Sequence, residues 1–121
     1  MKLSIIIVNY NASHFINQTI KSVLNSKINC NYQIIVVDNN SYDNSIELVR
    51  KEFPDLNIIE NTKNLGFSKG VNIGVQNSIG SNILILNPDT IVEENAIQNM
   101  CNTLDSNSEI SVVGAKIIDP D

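Results

Sequence analysis

The sequence predicts an α/β protein of Rossmann-like, three-layer αβα architecture, with a mostly parallel sheet whose first four strands run in the order 3-2-1-4. Two observations carry that prediction. Apolar runs alternate with amphipathic segments of helical period, the pattern of parallel strands joined by crossover helices. Three of those runs also end in polar residues. Ile5-Ile6-Ile7-Val8 leads into Asn9-Tyr10-Asn11, Ile34-Ile35-Val36-Val37 into Asp38-Asn39-Asn40-Ser41, and Ile83-Leu84-Ile85 into Leu86-Asn87-Pro88-Asp89-Thr90. As parallel neighbours the three strands share one polar edge, where α/β proteins bind ligands. Right-handed crossovers give the strand order.

Each element follows from local signals. The first strand runs from Leu3 to Asn9, and Ser13 is expected to cap a helix with Phe15, Ile16, Ile20, Val23 and Leu24 at helical spacing. The second strand covers Gln33 to Asp38. Asp43 or Ser41 is expected to cap a helix carrying Ile46, Leu48, Val49 and Phe53, which Pro54 stops. A short strand, Asn57 to Glu60, precedes a helix through Val71, Val75 and Ile79, with Ser68 expected at its start and Gly80 at its C-terminal cap. The fourth strand is Asn82 to Leu86. A helix from about Glu93 to Leu104 follows, its two glutamates suiting the positive end of the dipole. A last strand is expected over Ile110 to Ile118. Apolar strands of a parallel sheet need cover on both faces, so the ending at Asp119-Pro120-Asp121 suggests a truncated single domain whose bare surface is hidden by self-association.

With 121 residues the chain fits one domain and can bury a core without disulfides or metal. A net charge of −5 argues against a nucleic-acid binder, which needs a basic face to displace counterions. Cys30 and Cys101 lack metal-ligand spacing and read as free thiols in a reducing compartment. No stretch approaches a signal peptide or a membrane span. The expected location is cytoplasmic, with peripheral association at the inner membrane face left open.

The polar ends carry the chemistry. Asn9, Tyr10 and Asn11 offer an aromatic face and amide groups to a flat heterocycle, though such residues also serve ordinary strand-to-helix turns. Asp38, with Asn40 in the same turn, suits a base imide or a ribose hydroxyl; the rival role for such residues is local capping. Gly66, Gly70 and Gly74 stand four apart around a helix start. Gly74 and Gly70 are expected to pack tightly on the sheet, leaving Gly66, Lys69 and Asn72 as candidates near a diphosphate. The segment is neither a dinucleotide fingerprint nor a Walker loop. Asp89 can hold magnesium or manganese together with diphosphate oxygens, against a bland alternative as a turn aspartate after proline. Asn87 can position the ribose. His14, the only histidine, reads as a solvated helix-start residue with no assigned role, and Tyr42 and Phe67 as packing or loop residues.

The ordered set Ser4 to Asn11, Val36 to Ser41, Asn64-Leu65-Gly66-Phe67-Ser68 to Gly74, and Leu86-Asn87-Pro88-Asp89 resembles the glycosyltransferase family 2 domain of GT-A fold, over nearly the whole chain. The branch it looks most like is rhamnosyltransferase-like, where Asn-Pro-Asp replaces the Asp-x-Asp metal motif. The resemblance implies a nucleoside-diphosphate sugar donor, with deoxythymidine-diphospho-rhamnose suggested by the branch. It also implies a glycan or lipid-linked acceptor, transfer with inversion, and a role in cell-surface polysaccharide synthesis. It places Asn9, Tyr10 and Asp38 around the base, Asn87 near the ribose and Asp89 on the metal. Its catalytic base lies in the second half of the family's domain, beyond these residues, so no catalytic residue is assigned and the piece is expected to be inactive. Where many relatives carry a polar or basic residue, this chain has Val71. The alternatives are a non-catalytic nucleotide-binding or assembly module on the same fold and, last, a phosphate-handling enzyme whose reactive aspartate would stand where Asn9 does.

Overall fold

The computed structural model describes residues 2–119. Four parallel strands, β1 (Leu3–Asn9), β2 (Tyr32–Asp38), β3 (Asn57–Glu60) and β4 (Asn82–Leu86), form one sheet in the expected order β3-β2-β1-β4. The register aligns Asn9 with Asp38, Asp38 with Glu60, and Ile7 with Leu86. The polar ends therefore share one edge.

β1 is central and buried along its whole length, which is why it shows an unbroken apolar run rather than alternation. Its two faces feed two cores. Leu3, Ile5 and Ile7 pack with Ile34 and Val36 under α1 (Ile16–Leu24), α2 (Ser45–Glu52) and α4 (Ala96–Ser106). Ile6 and Val8 pack with Ile35 and Val37 under α3 (Phe67–Gln76). Helix α3 lies close to the sheet, as expected from its glycines: a methyl group on Gly74 would come within 2.5 Å of Ile6 Cγ2, and one on Gly70 within 2.9 Å of Val8 Cγ1.

Several local expectations are corrected. No strand forms over Ile110 to Ile118; the segment makes no ladder, and Val112, Ile117 and Ile118 are exposed. An apolar run becomes a strand only where a neighbouring edge pairs with it. Ser13 does not cap α1, because a turn from Ala12 to Phe15 precedes the helix and the Ser13 N–H donates to Asp43. Ser68 is the second residue of α3, which starts one residue after Gly66. Gly80 is not a C-cap either: α3 ends at Gln76, and Gly80 instead abuts β1, where a Cβ would sit 2.5 Å from the Ser4 nitrogen. Glu93 and Glu94 precede α4, leaving its first turn without acids, and Glu94 pairs with Lys27 at 3.2 Å. Both cysteines are free thiols. Among the described residues no helix is long and apolar enough to cross a membrane. Pro120 and Asp121 lie outside the described residues.

Candidate functional site

Asp38 closes β2 and is only 4% exposed, so its carboxylate needs partners. Three donors supply them. The Asn9 amide donates to Oδ1 at 2.8 Å, the Ser41 hydroxyl to the same oxygen at 2.6 Å, and the Ser41 N–H to Oδ2 at 3.0 Å. Asn9 is itself fully buried and also donates to Ser45 Oγ at 2.8 Å. Its amide nitrogen must face the carboxylate, since a flipped amide would set oxygen against oxygen; the Asn9 Oδ1 atom is correspondingly left without a partner. The geometry thus sets Asn9 beneath the edge, as a support for Asp38.

A second set of bonds fixes the loop after β2 against the loop after β1. Asn11, in the left-handed region with φ 53°, accepts the Tyr42 N–H on its amide oxygen at 3.0 Å and donates its own N–H to Ser41 Oγ at 2.9 Å. Asn40 also adopts a positive φ, 63°, a conformation Asn tolerates better than most residues, and it is exposed at the turn. Asp43 accepts from Ser45 N–H and Ser45 Oγ and from Ser13 N–H, and so ties the first residue of α2 to the loop after β1. The N-cap position itself is Asn44, whose side chain makes no capping bond, so neither Asp43 nor Ser41 is the expected N-cap, and Ser41 serves Asp38. Burial by itself raises the Asp43 carboxyl, and the hydrogen bonds from Ser45 and Ser13 outweigh it, holding the group below the ordinary carboxylate value.

Two aromatic rings stand on these loops. Tyr10 is 46% exposed and Tyr42 85% exposed; their centroids are 6.2 Å apart and their planes cross at 83°. Of the two roles expected for it, packing or loop, Tyr42 takes the second: it stands on the loop after β2 and does not pack into the protein.

Beyond β3, Asn39 organises the glycine segment. Its amide donates to the Gly66 carbonyl at 3.0 Å and accepts from Asn61 at 3.0 Å. Gly66 has φ 86° and ψ 171°, a combination essentially confined to glycine. Lys69 and Asn72 are exposed on α3. Asn72 lies two residues from each of the sheet-packed Gly70 and Gly74, hence on the opposite side of the helix.

At the end of β4 the arrangement is open. Asn87 and Asp89 are exposed and their side chains make no hydrogen bond or ion pair among the described residues. The loop is anchored through its backbone: buried Thr19 of α1 donates to the Pro88 carbonyl at 2.7 Å. A free carboxylate is a donor that magnesium or manganese accepts. Among the described residues no three His, Cys, Asp or Glu side chains cluster, so an ion at Asp89 would need further oxygens from a ligand and water.

Sequence reasoning assigned no site role to Ser45, Asn39 or Thr19. The Asp38-to-Ser41 spacing suits a local turn and was visible in principle, whereas the others act across the fold.

The model of the family Glycosyl transferase family 2 matches residues 4–121. An uncharacterized glycosyltransferase of Haemophilus influenzae is 30% identical over 116 residues, covering 93% of this chain and 36% of that protein. The minor teichoic acid biosynthesis protein GgaB of Bacillus subtilis is 32% identical over 120 residues, covering 94% of this chain and 13% of that protein. Among solved structures, S. aureus TarS 1-349 in complex with UDP-GlcNAc superposes with a TM-score of 0.78 at 23% identity, over 88% of this chain and 32% of that one. The mannosyltransferase PcManGT from Pyrobaculum calidifontis, in complex with GDP-Man and Mn2+, gives 0.78 at 21% identity, over 85% and 32%. The chain thus spans about a third or less of the length of these proteins, and the structural likeness establishes the shared fold.

Proposed function

The chain belongs to glycosyl transferase family 2, and from that premise we propose that it forms the donor-nucleotide part of an enzyme moving a sugar from a nucleoside diphosphate to an acceptor hydroxyl with inversion. The observation that carries this reading is the shared edge of β2, β1 and β4. Asp38 ends β2 and the free Asp89 follows the end of β4, strands two places, about 10 Å, apart, a separation on the scale of a nucleotide.

Lone-pair counting sharpens the base. An ionised carboxylate offers about four acceptor positions, and three on Asp38 are filled from within the protein. One position on Oδ2 remains, which fits a single donor such as the imide N–H of uracil or thymine. Guanine, whose edge presents two adjacent donors, is matched less well, and cytosine presents an acceptor there. Tyr10 offers the base a ring face, and Asn87 lies toward the ribose. Asn11 and Asn40 shape the turns around the base, and Gly66 with Lys69 borders the diphosphate side; Asn72 is withdrawn from contact in this reading.

Asp89 would hold Mg2+ or Mn2+, which when bound neutralises charge on the departing diphosphate. In the transfer itself the acceptor oxygen forms a bond to the anomeric carbon as the bond to the diphosphate oxygen breaks, and the acceptor proton passes to a base outside these 121 residues. The resemblance of the Asn-Pro-Asp run to the rhamnosyltransferase-like branch suggests rhamnose on deoxythymidine diphosphate as the donor, and the relation to GgaB supports a role in surface-polymer synthesis.

Calorimetric titration of the chain with UDP, dTDP and GDP, each with and without Mn2+, tests the reading. UDP or dTDP should bind in a metal-dependent manner and more tightly than GDP, and Asp89→Ala should remove the metal dependence without altering thermal stability. A folded chain that binds none of the three would favour the non-catalytic assembly module instead.

A further inference from the structure

We propose that Tyr42 is a second wall of the base slot and so a base-binding residue; this rests on the donor-nucleotide reading above. Three features of the loop after β2 lead to it. Tyr42 is the most exposed of the aromatic residues at this edge, at 85%, so the fold does not need its ring for packing. Its backbone is nonetheless held in place, through the N–H bonded to Asn11 Oδ1 and through the adjoining Ser41, which bonds Asp38 by both its N–H and its hydroxyl. Its ring stands at 83° to that of Tyr10.

The two tyrosines are each the immediate chain neighbour of a residue that grips the Asp38 carboxylate: Tyr10 follows Asn9 and Tyr42 follows Ser41. Two perpendicular rings beside one acceptor make a corner. A planar heterocycle stacked on one ring meets the other edge to face, and both arrangements are favourable for aromatic pairs. The corner accepts any flat base, while the remaining acceptor position on Asp38 selects among them. A ring carried on a pinned backbone also leaves less of the loop to be ordered when the ligand arrives.

The test compares the wild-type chain with Tyr42→Phe and Tyr42→Ala, measuring affinity for UDP and for inorganic diphosphate, both with Mn2+. Stacking on an aromatic side chain accounts for about tenfold in affinity per base. Tyr42→Ala should therefore weaken UDP about tenfold. Tyr42→Phe should stay close to wild type, and diphosphate affinity should be the same in all three. Equal UDP affinity in wild type and Tyr42→Ala would overturn the assignment of Tyr42 alone. A parallel loss of UDP and diphosphate would overturn it too, by showing a general disturbance of the edge. If the wild-type chain binds no nucleotide, the donor-site reading itself falls and takes this one with it.

Discussion

At the ends of β1 and β2 the polar side chains hold one another, whereas at the end of β4 they hold no partner among the described residues. Asn9, Asp38 and Ser45, all buried, and the partly buried Ser41 form a network in which one amide joins a carboxylate and two hydroxyls. Asn87 and Asp89 stand exposed on a loop anchored through its backbone, at the Pro88 carbonyl, the Val92 N–H and the Glu94 carbonyl. The difference matches what each half would bind. A base is neutral and flat and is recognised by fixed shape and directed hydrogen bonds, so the groups that meet it gain from being set in advance. A metal and a diphosphate bring strong charges that order their own ligands, so a free carboxylate on an open loop suffices.

Three variants test this contrast. The largest effect is expected at Asn9. Asn9→Leu keeps the volume but strips the buried Asp38 carboxylate of its amide partner and leaves the Ser45 hydroxyl without its donor. Removing one partner of a buried charge costs about 3 kcal/mol, to be read from urea denaturation. A loss below about 1 kcal/mol would show that the serines alone support Asp38.

A smaller effect is expected at the β4 end. Thr19→Val cuts the hydrogen bond to the Pro88 carbonyl and should cost about 1 kcal/mol. It should weaken metal-dependent diphosphate binding a few-fold while leaving the preference among UDP, dTDP and GDP unchanged. A change in base preference instead would mean that the two halves are coupled through α1.

The smallest effect is a pH dependence at Asp43, which ties the two loops of the base half. Its carboxyl lies below the ordinary value in the folded chain. Its contribution to stability is therefore present above the unfolded value, near about 3.9, and is lost as pH falls through the lower folded value. Asp43→Asn should be less stable than wild type at neutral pH, with the gap closing in acid below about pH 4. A gap that persists unchanged in acid would mean that shape, not charge, gives Asp43 its role.

Much of the edge was legible because its residues sit at the ends of strands that local pattern identifies. Asp38, Tyr10 and Asp89 could be named from the apolar runs preceding them. Their neighbours could not. Asn9 read as a group facing a ligand, and only the packing of α2 against β1 shows it buried beneath Asp38. Tyr42 read as a loop or packing residue, and only the folded loop shows its ring exposed and set against Tyr10. The strand expected over Ile110 to Ile118 failed for a related reason: apolar content measures the wish to be buried, and a partner edge decides whether a ladder forms.

The sequence by itself determined the alternation of strands and helices, the order of the sheet and the edge on which its polar ends converge. Those features depend on side-chain periods of 2 and about 3.6 and on the handedness of crossovers, all of which are written along the chain. Tertiary structure alone decided which polar residues support and which reach outward. The Asn9–Ser45 bond spans 36 positions and the Thr19–Pro88 bond 69, and no local rule records a partner that far away. Hydrogen-bonding groups are satisfied by whatever the fold brings within about 3 Å, so their roles exist only once the strands are in register.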